Sequence, residues 1–225
     1  MTNNVVIAET IGECWLNSIK TIMKNGDEHY DEDVRLREIL GLTVEIKYPK
    51  FEDEIIEKYG DRIVTERTLA KFAKGAYMSD RPFTYGARIY DNEGVDQFEW
   101  MVKRLLAKKE TKSATFCLLT PGSEAANLPC LTTVDAKIRN NKLELQFFFR
   151  SQNIFGRQYA NLLALVKLQL DIAKRCAVEI GSLKGYVASA HIYEYDFSQA
   201  ELIISGKKVT IVDKYYSDGP KSIRK

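Results

Sequence analysis

Several things are scarce in this chain of 225 residues, and each scarcity closes a door. Basic and acidic side chains nearly cancel, 33 against 31 for a net charge of +2, so no one-sided field marks the chain for nucleic acid, and none is expected as a partner. The four cysteines, Cys14, Cys117, Cys130 and Cys176, stand far apart with no CxxC pair, which argues against a zinc site and a dense disulfide framework. No apolar run approaches the ~20 residues of a membrane helix. The start, MTNNVVIAET, lacks a basic segment followed by a long apolar one, so no signal peptide is expected. There is no internal repeat, low-complexity stretch or evident linker. A single domain over residues 1–225 in a cytoplasmic setting is the expectation.

What is there reads as alternating helices and strands. Thr10 and Glu13 form a T-x-x-E capping box, with Ile11, Trp15, Ile19, Ile22 and Met23 behind it at helical spacing and Gly26 as a stop. Leu42, Val44 and Ile46 alternate like a strand, and residues 50–74 are helical, charged and hard to phase. Val95 to Leu106 carries a strongly amphipathic helix. Ala114 to Leu119 reads as a buried strand. Two strands, 132–138 and 143–149, flank Arg139-Asn140-Asn141-Lys142, where asparagine tolerates the positive φ of a tight hairpin. Asn161 to Arg175 is apolar around most of its circumference, hence a helix buried on several sides. Strands are expected at 185–193 and 207–212, then a loose tail from Ser217. The class is α+β or α/β, with a mixed or antiparallel sheet around one dominant buried helix.

Three places combine reactive or polar residues. Cys130 is either a small buried hydrophobe or a nucleophile. The second reading needs a nearby cation, and Arg150 supplies one if the hairpin returns the chain to its starting point. Arg150, Ser151, Asn153, Gly156 and Asn161 form a polar cluster. It is either a loop with a helix cap at Asn161, or a site whose guanidinium forks onto phosphate and whose amides read a base edge. His29 lies in an acidic run and is a solvated group. His191 is either a hydrogen-bonded core histidine or, with its period-2 partner Tyr193 on the same face, part of a site.

Taken in order, Leu128-Pro129-Cys130, Phe149-Arg150-Ser151, Asn161 and Ser189-Ala190-His191-Ile192-Tyr193 resemble the thymidylate synthase family, which also holds the dCMP and CMP hydroxymethylases. Tyr85-Gly86 and Asp96-Gln97 match lesser blocks. Residues 77–215 form the core of the resemblance. Residues 1–76 match loosely and look like the short archaeal-type or CMP-hydroxymethylase-type members. The resemblance implies a sheet-on-sheet homodimer that acts on a pyrimidine nucleoside monophosphate with 5,10-methylenetetrahydrofolate or a related reduced pterin. It implies Cys130 as the nucleophile that adds to C6 and activates C5. It further implies Arg37 (from a flexible N-terminal loop), Arg150, Ser151 and Lys112 on the phosphate, Asn161 on the base, His191 and Tyr193 on the ribose, and Asn153 with Gly156 toward the pterin.

The chain departs from the family pattern in four places. Lys112-Ser113 stands where an Arg-Arg pair is usual, and Leu131 where a histidine commonly follows the nucleophile. Asn153 replaces the aspartate that holds the pterin. No tryptophan lies between Lys71 and Arg81 to cover the reactive methylene and exclude water. The last departure tilts the expectation toward a hydroxymethylated product, with methylation of dUMP and an inactive nucleotide-binding paralogue as the alternatives. The general acid/base implied by the family is a glutamate of the N-terminal half, with Glu52, Glu54, Glu57 and Glu66 as candidates.

Overall fold

A computed structural model of the protein describes residues 4–79, 83–120 and 128–207. Strands β1 (Val5–Ala8), β2 (Asp27–Asp31), β3 (Val34–Ile46), β4 (Thr115–Cys117), β5 (Leu131–Arg139), β6 (Lys142–Phe149), β7 (Gln152–Asn153) and β8 (Glu179–Tyr193) form one mixed sheet. Its order is β1-β3-β8-β6-β5-β4, with β2 on β3 and β7 on β8. Helices α1 (Ile11–Asn25), α2 (Glu54–Tyr59), α3 (Arg62–Phe72), α4 (Tyr85–Tyr90), α5 (Gln97–Ala107), α6 (Ile154–Cys176) and α7 (Phe197–Ile204) complete an α+β fold. The strand expected at 207–212 falls, beyond Lys207, outside the described residues, as does the tail.

Local chemistry accounts for the element ends. The Glu13 N–H donates to Thr10 Oγ1 at 3.3 Å, and the Glu13 carboxylate reaches back to the Glu9 N–H at 2.9 Å. The box thus closes one residue earlier than its simplest form. Asn140 and Asn141 both take positive φ, 49° and 60°, as a two-residue hairpin loop demands. The long helix starts earlier than its apolar run: Asn153 caps it, its Oδ1 accepting from the Gly156 N–H at 2.9 Å. Asn161 therefore lies in the helix interior and is no cap.

Helix α6 buries 15 of its 23 residues, which makes it the centre of the core. The Trp15 indole donates to the Ile154 carbonyl at 2.9 Å and its ring meets Tyr159 at 4.6 Å, pinning α1 to the first turn of α6. The Tyr159 hydroxyl accepts from the Asp61 N–H at 3.1 Å, which ties in the start of α3. At the far end Gln169 donates to the Leu143 carbonyl at 2.7 Å, fixing α6 over the β6–β8 pair. Gly185 is required there: a Cβ on it would stand 2.1 Å from the Phe147 ring.

One irregularity of the sheet positions the site. The β3–β8 pairing runs Leu40 to Ser189 and then Leu42 to Val187, passing over Gly41 and Ala188. Gly41 has φ +78°, and a Cβ on it would stand 2.7 Å from the Tyr186 hydroxyl. Ile39 and Leu42 are both buried, as are Val187 and Ala190, so the period-2 alternation is broken in both strands at one level. Counting from Val187 without this kink, His191 would point toward the helices with it. With the kink, Ser189, His191 and Tyr193 turn to the opposite face.

Candidate active site

Beyond the end of the β5–β6 hairpin lies a cleft of about 470 Å³ lined by residues from six separate segments of the chain. Thr68 and Lys71 come from α3, Phe83, Thr84 and Tyr85 from the start of α4, and Leu128, Pro129 and Cys130 from the approach to β5. Arg150, Ser151, Gln152 and Asn153 follow β6, Arg157 and Asn161 face in from α6, and His191 with Tyr193 close the site from β8.

The hairpin does return to its starting point. The Arg150 N–H donates to the Cys130 carbonyl at 2.8 Å. The guanidinium is anchored by Nε on the Pro129 carbonyl at 3.1 Å and Nη2 on the Leu128 carbonyl at 2.9 Å. Two of its five N–H groups are thereby used, and among the described residues nothing accepts from Nη1, which can turn both of its protons to an anion. Tyr85 accepts from the Leu131 N–H at 3.3 Å and packs on Phe72 at 4.7 Å, holding the residue after Cys130 against α3 and α4. Cys130 itself is half-buried and unbonded to any other cysteine.

His191 is buried and still reaches the cleft. Its imidazole is held below its ordinary value chiefly by burial, which a hydrogen bond to the Ser189 main chain and the Glu38 and Asp31 carboxylates oppose in part. The Ser189 hydroxyl lies 3.4 Å from Nδ1 and donates to the Glu38 carboxylate. The Tyr193 ring stands edge-on to the imidazole at 5.0 Å, and its hydroxyl donates to Asp31 Oδ2 at 2.6 Å.

Of the residues singled out in the sequence, Cys130, Arg150, Ser151, Asn153, Asn161, His191 and Tyr193 share this cleft, and Arg37, Lys112 and Gly156 do not line it. Arg37 lies inside β3, where a flexible loop was expected. Its guanidinium donates to the Met23 carbonyl and covers the Phe197 ring at 5.4 Å. Lys112 precedes β4 and is exposed. Gly156 gives its N–H to the helix cap. None of Glu52, Glu54, Glu57 and Glu66 lines the cleft, and Glu66 pairs with Arg62 at 2.7 Å on an exposed face of α3. What α3 does offer the cleft is Lys71 and the buried Thr68.

Sequence reasoning missed Thr68, Lys71, Phe83, Gln152 and Arg157. Arg157 carried a signal: Asn153, Arg157 and Asn161 are spaced by four, one stripe of a helix that begins at Ile154. Lys71, Arg150 and Arg157 are the lining cations, and among the described residues no carboxylate lines the cleft, so the arrangement suits an anionic ligand. Gln152 lies beside them with both amide atoms buried and without a hydrogen-bond partner among the described residues. No group of three or more potential metal-binding side chains occurs among the described residues, and no helix there is long and apolar enough to cross a membrane.

Comparison with known proteins agrees with this geometry. The family model described as "Thymidylate synthase" matches residues 17–212. A protein of Methanosarcina acetivorans named "Putative thymidylate synthase" is 32% identical over 210 residues, covering 90% of this chain and 95% of its own. One of the same name from Methanococcoides burtonii gives the same identity and coverage. Another from Methanothermobacter marburgensis is 30% identical over 222 residues, covering 88% of this chain and 97% of its own.

Proposed function

From the premise that the chain belongs to the thymidylate synthase family, whose chemistry is one-carbon transfer to C5 of a pyrimidine nucleotide, we propose that it hydroxymethylates a pyrimidine nucleoside monophosphate, CMP or dCMP first, through a bond from Cys130 to C6. The observation that carries this reading is the convergence of Cys130, Arg150, Ser151, Asn161, His191 and Tyr193, far apart in sequence, on one cleft.

In this reading the Cys130 thiolate adds to C6, and the electron pair pushed onto C5 attacks the methylene carbon of the donor. Loss of the C5 proton and departure of the carrier amine leave an exocyclic methylene. Water adds to it as the sulfur leaves C6, giving a hydroxymethyl group. Methylation differs only in the last nucleophile to reach the methylene, a hydride from the reduced folate in place of water. Trp15 is buried under α6 and Trp100 sits on α5, so neither tryptophan lines the cleft. The absence of such a ring favours entry of water.

The phosphate lies on the free Nη1 edge of Arg150 and on Ser151, with its guanidinium held in place by the Leu128 and Pro129 carbonyls. Asn161 reads N3 and the C4 substituent, since an amide offers both a donor and an acceptor. For Arg37 to join the phosphate it must first leave the Met23 carbonyl. The family's methylene donor is a reduced folate, which supplies the one-carbon unit. Toward it, Asn153 offers its Nδ2 donor and the second lone pair of Oδ1, the first being held by the Gly156 N–H. As a neutral amide it does not supply the charged acceptor that an aspartate would give the pterin ring.

The reading includes a second copy of the chain. The face of the sheet away from α6 exposes Leu40, Phe148 and Tyr186, the last two stacked at 5.4 Å, a patch that a sheet-on-sheet dimer covers. Sedimentation should give a dimer, and Tyr186→Glu should give a monomer. Among the described residues no carboxylate lines the cleft to serve as the general acid/base, which favours one other reading, a paralogue that binds nucleotide without turnover. Incubation of CMP, dCMP, UMP and dUMP with methylenetetrahydrofolate, followed by mass spectrometry, separates the outcomes. A product heavier by CH2O without dihydrofolate supports hydroxymethylation. A methyl product with dihydrofolate replaces it with methylation, and binding without product replaces it with the paralogue.

A further inference from the structure

Glu38 does not line the cleft and has no part in the functional reading, yet it bears on a residue that does. It sits on β3 opposite His191 of β8, and Ser189 lies two residues before His191 on the same face. The Ser189 hydroxyl donates to the Glu38 carboxylate and lies 3.4 Å from His191 Nδ1. A serine hydroxyl has one proton. With that proton given to Glu38, Ser189 has only lone pairs for Nδ1, so a hydrogen bond between them needs the ring proton on Nδ1. The bond between the ring and the Ser189 main chain favours the protonated imidazole, which marks it as another bond from a ring N–H to an acceptor. Burial holds the ring neutral near pH 7, and a neutral imidazole with its proton on Nδ1 has a bare Nε2. Among the described residues Nε2 has no hydrogen-bond partner.

We infer that Glu38 is a positioning residue: acting through Ser189, it fixes the His191 tautomer in which Nε2 accepts, so that this edge of the cleft takes a hydrogen-bond donor. A sugar hydroxyl meets that need, whereas an ionised phosphate oxygen has no proton to give. The phosphate is thereby left to the Arg150 guanidinium and the sugar to β8, which sets the direction in which a nucleotide lies. Without the carboxylate, the Ser189 proton is free to turn to Nδ1. The ring proton then moves to Nε2, and the acceptor becomes a donor. The inference rests on the nucleotide reading and adds to it the residue that sets the hydrogen-bonding polarity of its sugar edge.

Nitrogen-15 shifts of the full chain with labelled histidine, at about pH 7.5, read the tautomer directly. The chain has two histidines, so His191→Asn assigns their signals. The wild type should show the Nδ1–H form, and Glu38→Ala a mixture with a substantial share of Nε2–H. Adding Ser189→Ala to Glu38→Ala should restore Nδ1–H, because the competing proton is gone and the main-chain acceptor remains. A merely structural role for Glu38 gives no such rescue. Calorimetric titration with CMP, dCMP, UMP and dUMP is the second readout. For whichever nucleotide binds, Glu38→Ala should weaken it about twofold or more, the effect of halving the share of the binding-competent tautomer, and the double variant should recover. An Nε2–H form in the wild type, Nδ1–H and full affinity retained in Glu38→Ala, or a double variant that behaves like Glu38→Ala overturns the inference and leaves the nucleotide reading standing. If none of the four nucleotides binds, both are lost.

Discussion

Replacing Gly41 by alanine tests whether the kink in β3 positions the site. At φ +78° any L side chain is strained, and a Cβ there would stand 2.7 Å from the Tyr186 hydroxyl. The backbone term costs about 1–2 kcal/mol. The collision is with the far end of a flexible side chain, which can move, and adds less. At about 2 kcal/mol in total, a chain of this size should melt about 4–8 °C lower. Gly94→Ala is the control: Gly94 has φ +84° with nothing within 4 Å of a Cβ, so it carries the backbone term without the collision. Both variants should melt lower, and only Gly41→Ala should also lose nucleotide affinity, because only there does relaxation of β3 against β8 turn Ser189, His191 and Tyr193. Scanning calorimetry and titration calorimetry read the two effects. A Gly41→Ala protein with wild-type melting and wild-type affinity would refute the argument that this glycine orients the β8 residues.

Two further outcomes follow from the titrating groups. Burial holds His191 below its ordinary value of 6.5, so the unfolded chain takes the proton more readily. Stability present above that pH should fall as the pH drops below it. Melting curves between pH 7.5 and 5 should show a smaller loss for His191→Asn than for the wild type, and equal losses would contradict the assignment. Burial also pushes the Cys14 thiol up to about 12 and raises Cys176. Alkylation at pH 8 followed by peptide mass spectrometry should therefore spare Cys14 and Cys176 and modify Cys117 and Cys130, with nucleotide protecting Cys130 alone. Rapid modification of Cys14 in the folded protein would count against the packing of α1.

The parts of this structure that sequence made readable are those governed by local rules. The Thr10 capping box, the Asn140-Asn141 hairpin turn and the amphipathic phase of α5 each reflect an interaction between near neighbours. The meeting of Cys130 with Arg150 was readable for the same reason, since hairpin geometry dictates it. What stayed hidden depends on distant partners. The early start of α6 at Ile154 follows from Asn153 turning its side chain onto the Gly156 N–H, while the apolar pattern begins only later. The acidic run around His29 gave no strand signal; it is exposed, as read for His29, and it also pairs with β3 as β2 and delivers Asp31 to Tyr193. The orientation of His191 depends on a kink shared by two strands nearly 150 residues apart, which no period-2 count along one of them contains. Thr68 and Lys71 lie in a charged segment whose helical phase is set by packing on α6 rather than by its own pattern.

The central claim is that the Cys130 sulfur bonds to C6 of a pyrimidine and so loosens the hydrogen on C5. Exchange of that hydrogen in heavy water, without folate, measures this step alone. The wild-type protein should exchange one nucleotide of the set CMP, dCMP, UMP and dUMP, and Cys130→Ala should bind it with no exchange. Exchange that persists in Cys130→Ala would contradict the account, as would a wild type that binds a nucleotide and leaves its C5 hydrogen in place.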